Sequence, residues 1–267
     1  MPLEPYIMES EDEALRLDLK TDPALVESQA RWAGIRPAMR VADLGCGPGK
    51  TTSCLHRLVQ PGGASTGVDY SSERIAFARD HYGQEKIAFV CRDIRDPMEG
   101  LGKFDFVWIR FVLEYHRDRS LEIVRNASQI LDTGGIVCLI DLDYNCLSHF
   151  GLPPRLERSL QGAMGFLQDR WNFDPYAGRK LYSYLYDLGF EKLDVRVEPY
   201  HVIFGKPDPV SLYNWRLKVH VAARGSGYPF DEYEDGFAGF LREFEEAFAD
   251  PRRFTYTPLI CCRGVKP

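Results

Sequence analysis

Residues 41–52 read VADLGCGPGKTT, a short apolar run that ends in an acid, Asp43, and passes into Gly45, Gly47 and Gly49 alternating with small residues. A buried strand entering such a loop brings bare backbone N–H groups and a helix N-terminus up to a ligand. Three nucleotide-binding patterns compete for it. A phosphate-cradling G-x-x-x-x-G-K-[ST] loop would use Gly49, Lys50 and Thr51, but it requires glycine where Leu44 stands. A dinucleotide G-x-G-x-x-G loop would use Gly45 and Gly47, but it requires glycine where Lys50 stands. The pattern acid-x-G-x-G-x-G is met in full by Asp43, Gly45, Gly47 and Gly49.

The surroundings continue the pattern. Asp69, in GASTGVDYS, ends a second apolar run about 20 residues after Gly49, the place of an acid that accepts hydrogen bonds from ribose hydroxyls. A third run, IAFVCRDI, ends in Asp93 and Ile94; a fourth, FDFVWIRFVLEY, begins at Phe104 and a fifth, GGIVCLIDLDY, at Gly134. With these features in this order the chain resembles the Rossmann-like (class I) S-adenosylmethionine-dependent methyltransferases, in their ubiquinone-type and small-molecule branch. The likeness spans about residues 1–204 and is strong over 40–141. It implies S-adenosyl-L-methionine as cofactor, with the glycine loop around the methionine part, Asp69 on the ribose, and Asp93 and Ile94 near the adenine. Tyr70 follows the ribose acid and is placed to pack on the adenine face, unless it is an ordinary surface tyrosine. Asp43 is expected to anchor the loop, and Gly45 and Gly47 to let the backbone approach the ligand.

Composition sets bounds. At 267 residues, 45% hydrophobic and 27% charged, the chain is an ordinary globular one, long enough for a single large domain. Its 33 Lys and Arg against 39 Asp and Glu leave a net charge of −6, which offers no general attraction to nucleic acid or to an anionic membrane. No apolar run approaches the ~20 residues of a membrane span, and the acidic start MPLEPYIMESEDEALR is unlike a signal peptide. Seven cysteines without zinc-ligand spacing point to reduced thiols, no metal site and a cytoplasmic protein. Cys261 and Cys262 are neighbours on an expected strand and so face opposite sides of it.

The expected fold is α/β: a doubly wound, mostly parallel seven-stranded sheet with an antiparallel last strand, a helical cap and a helical insertion before that strand. Residues 1–267 then form one domain, divided into a helical N-terminal segment (1–38), a cofactor-binding core (39–144), a cap (145–190), an insertion (205–253) and the last strand (254–267). Of the 34 aromatics, 23 lie in residues 141–267, so the second half is not a simple continuation of the first. Two cap helices are expected, in PRLERSLQGAMGFLQDRW and PYAGRKLYSYLYDLGF. Tyr233, Phe237, Phe240, Phe244 and Phe248 fall on one helical stripe, read as core or homodimer packing in preference to a substrate wall.

Further site residues follow from the resemblance. Tyr6 and Arg16 resemble a leader helix that folds over the cofactor; Arg16 either forks onto the methionine carboxylate or is one exposed charge on an amphipathic helix. Arg110 ends the fourth run, at the carboxyl edge where open α/β sheets bind ligands. FVLEYHRD resembles the family's F-V-L-E-H segment, with Tyr115 where histidine is commoner and His116 after it. If a general base acts, His116 and His201 are the first choices, because an unperturbed imidazole titrates near neutrality.

Several acceptors are argued against. Position 110 begins Arg-Phe-Val where exocyclic-amine DNA enzymes carry D-P-P-Y, and Asp174-Pro175-Tyr176 sits elsewhere and lacks the second proline. No Pro-Cys dipeptide serves cytosine chemistry, Glu114 has no partner glutamate for arginine methylation, and the cysteines suggest no converging thiols for arsenic. A small organic acceptor remains, apolar or aromatic if Tyr182, Tyr184 and Tyr186 face it. The alternatives are a cofactor-binding sensor or partner subunit without methyl transfer, and another chemistry on the same cofactor.

Overall fold

The computed structural model describes residues 13–83 and 86–267. Parallel strands β1 (Arg40–Leu44), β2 (Ala64–Asp69), β3 (Ile87–Cys91), β4 (Phe104–Arg110) and β5 (Leu131–Leu142) alternate with helices α3 (Lys50–Leu58), α4 (Ser72–Tyr82) and α5 (Ser120–Ile130). Helices α1 (Glu13–Lys20) and α2 (Pro23–Ala33) precede them. The sheet order is β3-β2-β1-β4-β5-β8-β6, with β7 (Glu191–Phe204) also paired to β8 (Phe254–Val265). β8 runs antiparallel between β5 and β7, as expected of the last strand. A two-residue strand, β6 (His149–Phe150), adds an eighth member that the sequence pattern does not announce.

Alternation along the strands explains why both faces are covered. Phe106, Trp108, Ile136 and Cys138 meet Val26 and Ala30 of α2 and Leu55 of α3 on one face. Val107, Ile109, Val137 and Leu139 meet Val124 and Ala127 of α5 on the other. Cys261 and Cys262 divide between these two clusters, as adjacent strand residues must. Local signals set the helix ends. Asp22 caps α2 through the Ala24 N–H at 2.9 Å with Pro23 in the first turn, and Gly34, at φ +101°, closes it.

The second half departs from the expected cap in one respect. The helix α7 (Leu181–Asp187) buries Leu181 and Leu185 in the same cluster as α5, so it covers the sheet rather than the site. Tyr182 and Tyr186 stack on each other at the surface, and Tyr184 packs against the sheet-face cluster. The expectation of a tyrosine-lined acceptor site is therefore corrected: one face of α7 serves the sheet and the other meets solvent. The true cap is α6 (Pro154–Arg170) together with the insertion helices α8 (Pro209–Ser226) and α9 (Phe237–Ala249). Phe240, Phe244 and Phe248 of α9 are fully buried against Leu156 and Ala163 of α6 and Trp215 and Val219 of α8. The aromatic stripe is an intramolecular core. Among the described residues, no helix is long and apolar enough to cross a membrane.

Two substitutions separate these environments. Phe244→Ala is expected to lower unfolding free energy by about 3–5 kcal/mol, because a fully packed ring leaves a cavity. Tyr182→Ala, 47% exposed, should change it by no more than about 0.5 kcal/mol. Urea unfolding of both variants reads the difference directly.

Candidate cofactor cleft and adjoining cavity

The glycine loop lies at the carboxyl end of β1, tied to the next strand. The Gly45 and Cys46 N–H groups donate to the Val68 carbonyl at 2.7 and 3.0 Å, and the Gly47 N–H donates to Asp69 Oδ2 at 2.9 Å. The three glycines are required for different reasons. A Cβ on Gly45 would come within 2.3 Å of the Val112 side chain. On Gly47 it would point into the cleft, with only Leu17 nearby at 3.6 Å. Gly49, at φ +91°, caps α3, and a Cβ there would press on Ala78 and Phe89 at 2.8 and 2.9 Å. Gly49 thus holds helix packing and does not line the cleft.

Asp43 lies beneath the loop and accepts a hydrogen bond from Thr52 Oγ1 at 2.7 Å. Burial raises its pKa to about 7, against the lowering effects of Thr52 and of the Arg110 charge. It anchors the loop from below and is no part of the cleft wall.

The next two strand ends each present an acid clasped by an arginine. Asp69 Oδ1 accepts from the Ser71 N–H at 3.0 Å and from Arg74 Nε at 3.2 Å, and the Arg74 guanidinium lies 5.0 Å from the centre of the Tyr70 ring. Asp93 accepts the Arg95 N–H at 2.9 Å and a forked bond from its guanidinium, with Nη2 at 2.6 Å. Burial alone would raise the Asp93 carboxyl, but the Arg95 bonds outweigh it and hold the pKa below its ordinary value. Arg74 and Arg95 both line the cleft, and sequence reasoning missed them. The available signal was their position, five and two residues after acids already singled out.

β4 ends in Arg110, whose guanidinium lies over the Phe111 ring at 4.3 Å. Its Nε is buried with no hydrogen-bond partner, and burial lowers its pKa. Arginine stays charged even so. Phe111 is held at φ +57°, a costly conformation for a bulky residue, at the point where chain direction changes. A short 3₁₀ turn, Leu113–Tyr115, follows and delivers His116 to the cleft wall. Burial, and then the Arg95 charge, lower His116 to about 4. Leu17 and Thr21 from the N-terminal segment and Trp171 after α6 complete a cleft of about 1180 Å³, counting space open to solvent. α1 is fastened there by Lys50 Nζ, which donates to the Asp18 carbonyl at 2.7 Å, and by the Tyr82 hydroxyl on Asp18.

Tyr115 also lines a second, more apolar cavity of about 610 Å³ between α6 and α8. A polar chain running from half-buried to buried borders it: Lys218 Nζ donates to Asn145 Oδ1 at 2.7 Å, and Asn145 Nδ2 donates to Glu114 Oε2 at 2.6 Å. The Glu114 N–H donates to Asp141 Oδ2 at 3.1 Å. Burial raises the pKa of both carboxyls, and the Glu114 charge raises that of Asp141 further.

Of the residues expected at the site, Gly45, Gly47, Asp69, Tyr70, Asp93, Ile94, Arg110 and His116 are brought together on one cleft. Arg16 forks onto Glu13 at 2.7 Å and is not on the cleft wall, although Leu17 beside it is. Tyr6 lies outside the described residues. His201 requires a correction. It sits on β7 under the insertion, with Nδ1 3.1 Å from Thr257 Oγ1 and its ring edge-on to Trp215 at 5.5 Å, and it does not line the cleft. Burial places it there: β7 carries it into the junction between the sheet and α8.

Residues 41–135 match the family model of the methyltransferase domain. A demethylmenaquinone methyltransferase from Staphylococcus aureus is 31% identical over 109 residues, which cover 40% of this chain and 44% of that protein. A protein-L-isoaspartate O-methyltransferase from Thermotoga maritima is 25% identical over 109 residues, covering 40% of this chain and 34% of that one. The chain thus spans less than half the length of these curated relatives. A crystal structure from Bacillus halodurans, described as a methyltransferase, superposes with a TM-score of 0.58 at 15% identity, covering 91% of this chain and 99% of that one. A [4+2]-cyclase superposes at 0.55 with 20% identity, covering 92% and 81%. The match over residues 41–135 and the shared fold make this chain similar to the Rossmann-like methyltransferases.

His201 generates a pH prediction. Burial, then the charges of Lys218, Lys20 and His149, depress it to about 3 from an ordinary 6.5. The folded state therefore binds fewer protons than the unfolded one, so its contribution is present above pH 6.5 and is lost as pH falls toward 3. Thermal midpoints should drop across this window, and His201→Gln should make the drop shallower; a slope as steep as that of the unaltered chain would contradict the assignment.

Proposed function

We propose that the cleft binds S-adenosyl-L-methionine and that the chain transfers its methyl group to a small organic acceptor. The observation that carries this reading is the donor set at the β1 and β4 ends. An open cradle at Gly47, a carboxylate at Asp69 and a buried Arg110 Nε without a hydrogen-bond partner suit a nucleoside that carries an amino acid. A polyphosphate would meet the carboxylates of Asp69 and Asp93 on the same wall. When bound, the sulfonium supplies a methyl group already activated by positive charge.

The protein's own residues then mainly position and dry the reaction. Arg110 is the partner for the methionine carboxylate, which would satisfy its buried Nε. Asp69 already accepts three N–H groups, and a carboxylate has about four lone-pair sites, so room remains for a ribose hydroxyl. Asp93 and Ile94 serve the adenine end, with Tyr70 on its face. His116, neutral at pH 7, is the cleft imidazole available to receive a proton from the acceptor.

The insertion supports catalysis over a sensor role. Its aromatics pack among themselves and against α6, so both cavities stay open instead of being plugged. Core, α6 and α8 all contribute walls to these cavities, which supports one functional unit. Seven free cysteines, five of them buried, support a reducing, cytoplasmic setting.

S-adenosylmethionine and S-adenosylhomocysteine are expected to raise the melting temperature, and ATP and NAD to leave it unchanged. Stabilisation by a triphosphate or a nicotinamide compound, with none by either sulfur nucleoside, would sink the reading. By calorimetry, Asp69→Ala and Arg110→Met should each weaken S-adenosylhomocysteine binding by roughly 10- to 100-fold, the scale of a hydrogen bond to a charged group. Arg110→Lys should lose less than Arg110→Met, since charge is kept and only the fork is lost.

A further inference from the structure

We infer that the cavity between α6 and α8 seats the methyl acceptor, and that the acceptor is an apolar molecule bearing a carboxylate that Lys218 receives. The inference rests on the function proposed above and names its substrate class. Three observations carry it. Tyr115 lines both this cavity and the cofactor cleft, so a molecule seated in the one borders the other. The walls from α6 and α8 are aliphatic, among them Leu160, Met164, Leu167 and Val219. Within those walls stands one cation, Lys218, with no carboxylate of the described residues within ion-pair distance.

The surroundings of that ammonium are incomplete. It has three donors, of which Asn145 Oδ1 takes one at 2.7 Å, while the Trp215 ring, 5.3 Å away, offers its face. Asn145 cannot turn to offer anything else, because its amide N–H is committed to Glu114 at 2.6 Å. Glu114 is separated from Lys218 by that amide; its burial raises its pKa against the lowering effect of the Lys218 charge, so it offers Lys218 only an indirect counter-charge. A half-buried ammonium on a largely apolar wall attracts a counter-charge. A single lysine beside a neutral amide suits a monoanion. A neutral hydrocarbon would leave the ammonium stranded, and a cationic acceptor would be repelled.

The test is titration calorimetry on the full chain with two matched pairs, decanoate against decanamide and trans-cinnamate against trans-cinnamamide, each run with and without S-adenosylhomocysteine. In at least one pair the carboxylate should bind tenfold or more tightly than its amide. Lys218→Met should abolish that preference, and Lys218→Arg should keep it. Ala222→Phe, which retains the lysine and fills the cavity, should weaken the preferred carboxylate by tenfold or more, and it covers the case in which Lys218→Met fails to fold. Equal affinity within both pairs would overturn the inference, as would a preference that survives Lys218→Met or binding indifferent to Ala222→Phe. Heat from S-adenosylhomocysteine is read separately, so loss of the cofactor reading is distinguishable from loss of this one.

Discussion

The site exists because the chain reverses its winding between β1 and β4. The helix after β1 packs on one face of the sheet and the helix after β4 on the other, so the carboxyl ends of these neighbouring strands are left uncovered. Everything chemically distinctive gathers at that gap. The glycine loop leaves β1 there, Arg110 leaves β4 there, and Asp69 is drawn in by its bond from the Gly47 N–H. The strained Phe111 marks the same point. Burial around the gap is deep enough to move pKa values, as Asp43 and His116 show in opposite directions.

The second half of the chain is a small core of its own, built from α6, α8 and α9 around the α9 aromatics. Its consequence for function is indirect. By burying its aromatics in itself, it presents aliphatic side chains and Lys218 toward Tyr115 and leaves a cavity beside the cleft. The polar chain from Lys218 through Asn145 to Glu114 joins this unit to the segment after β4, so the second cavity and the cleft share one hydrogen-bonded border. A network so buried is costly if partly satisfied, which ties the position of α8 to the geometry of the 3₁₀ turn.

Most of the cofactor side was legible in the sequence, because it is built from features local to strand ends. An acid closing an apolar run, or a glycine at a fixed offset, keeps its meaning wherever the strand lies in the sheet. Asp69, Asp93 and Arg110 were found that way and converge on one cleft. Arg74 and Arg95 were missed because an arginine near an acid in sequence is commonplace, and only burial reveals the clasp. The three glycines were read as one motif, whereas packing divides them: Gly45 yields to Val112, Gly49 to Ala78 and Phe89, and Gly47 faces the cleft.

The sequence by itself determined the alternation of strands and helices from β1 to β5, the placing of the glycine loop and acids at strand ends, and the burial of Asp43 beneath the loop, since each follows from periodicity or from neighbours along the chain. Tertiary structure alone decided that α7 belongs to the sheet, that His201 lies under the insertion, and that Lys218 and Tyr115 line one cavity. Those outcomes depend on contacts between segments far apart in the chain, such as Lys218 with Asn145 and His201 with Trp215 and Thr257, and no local pattern encodes which distant surface a side chain will meet.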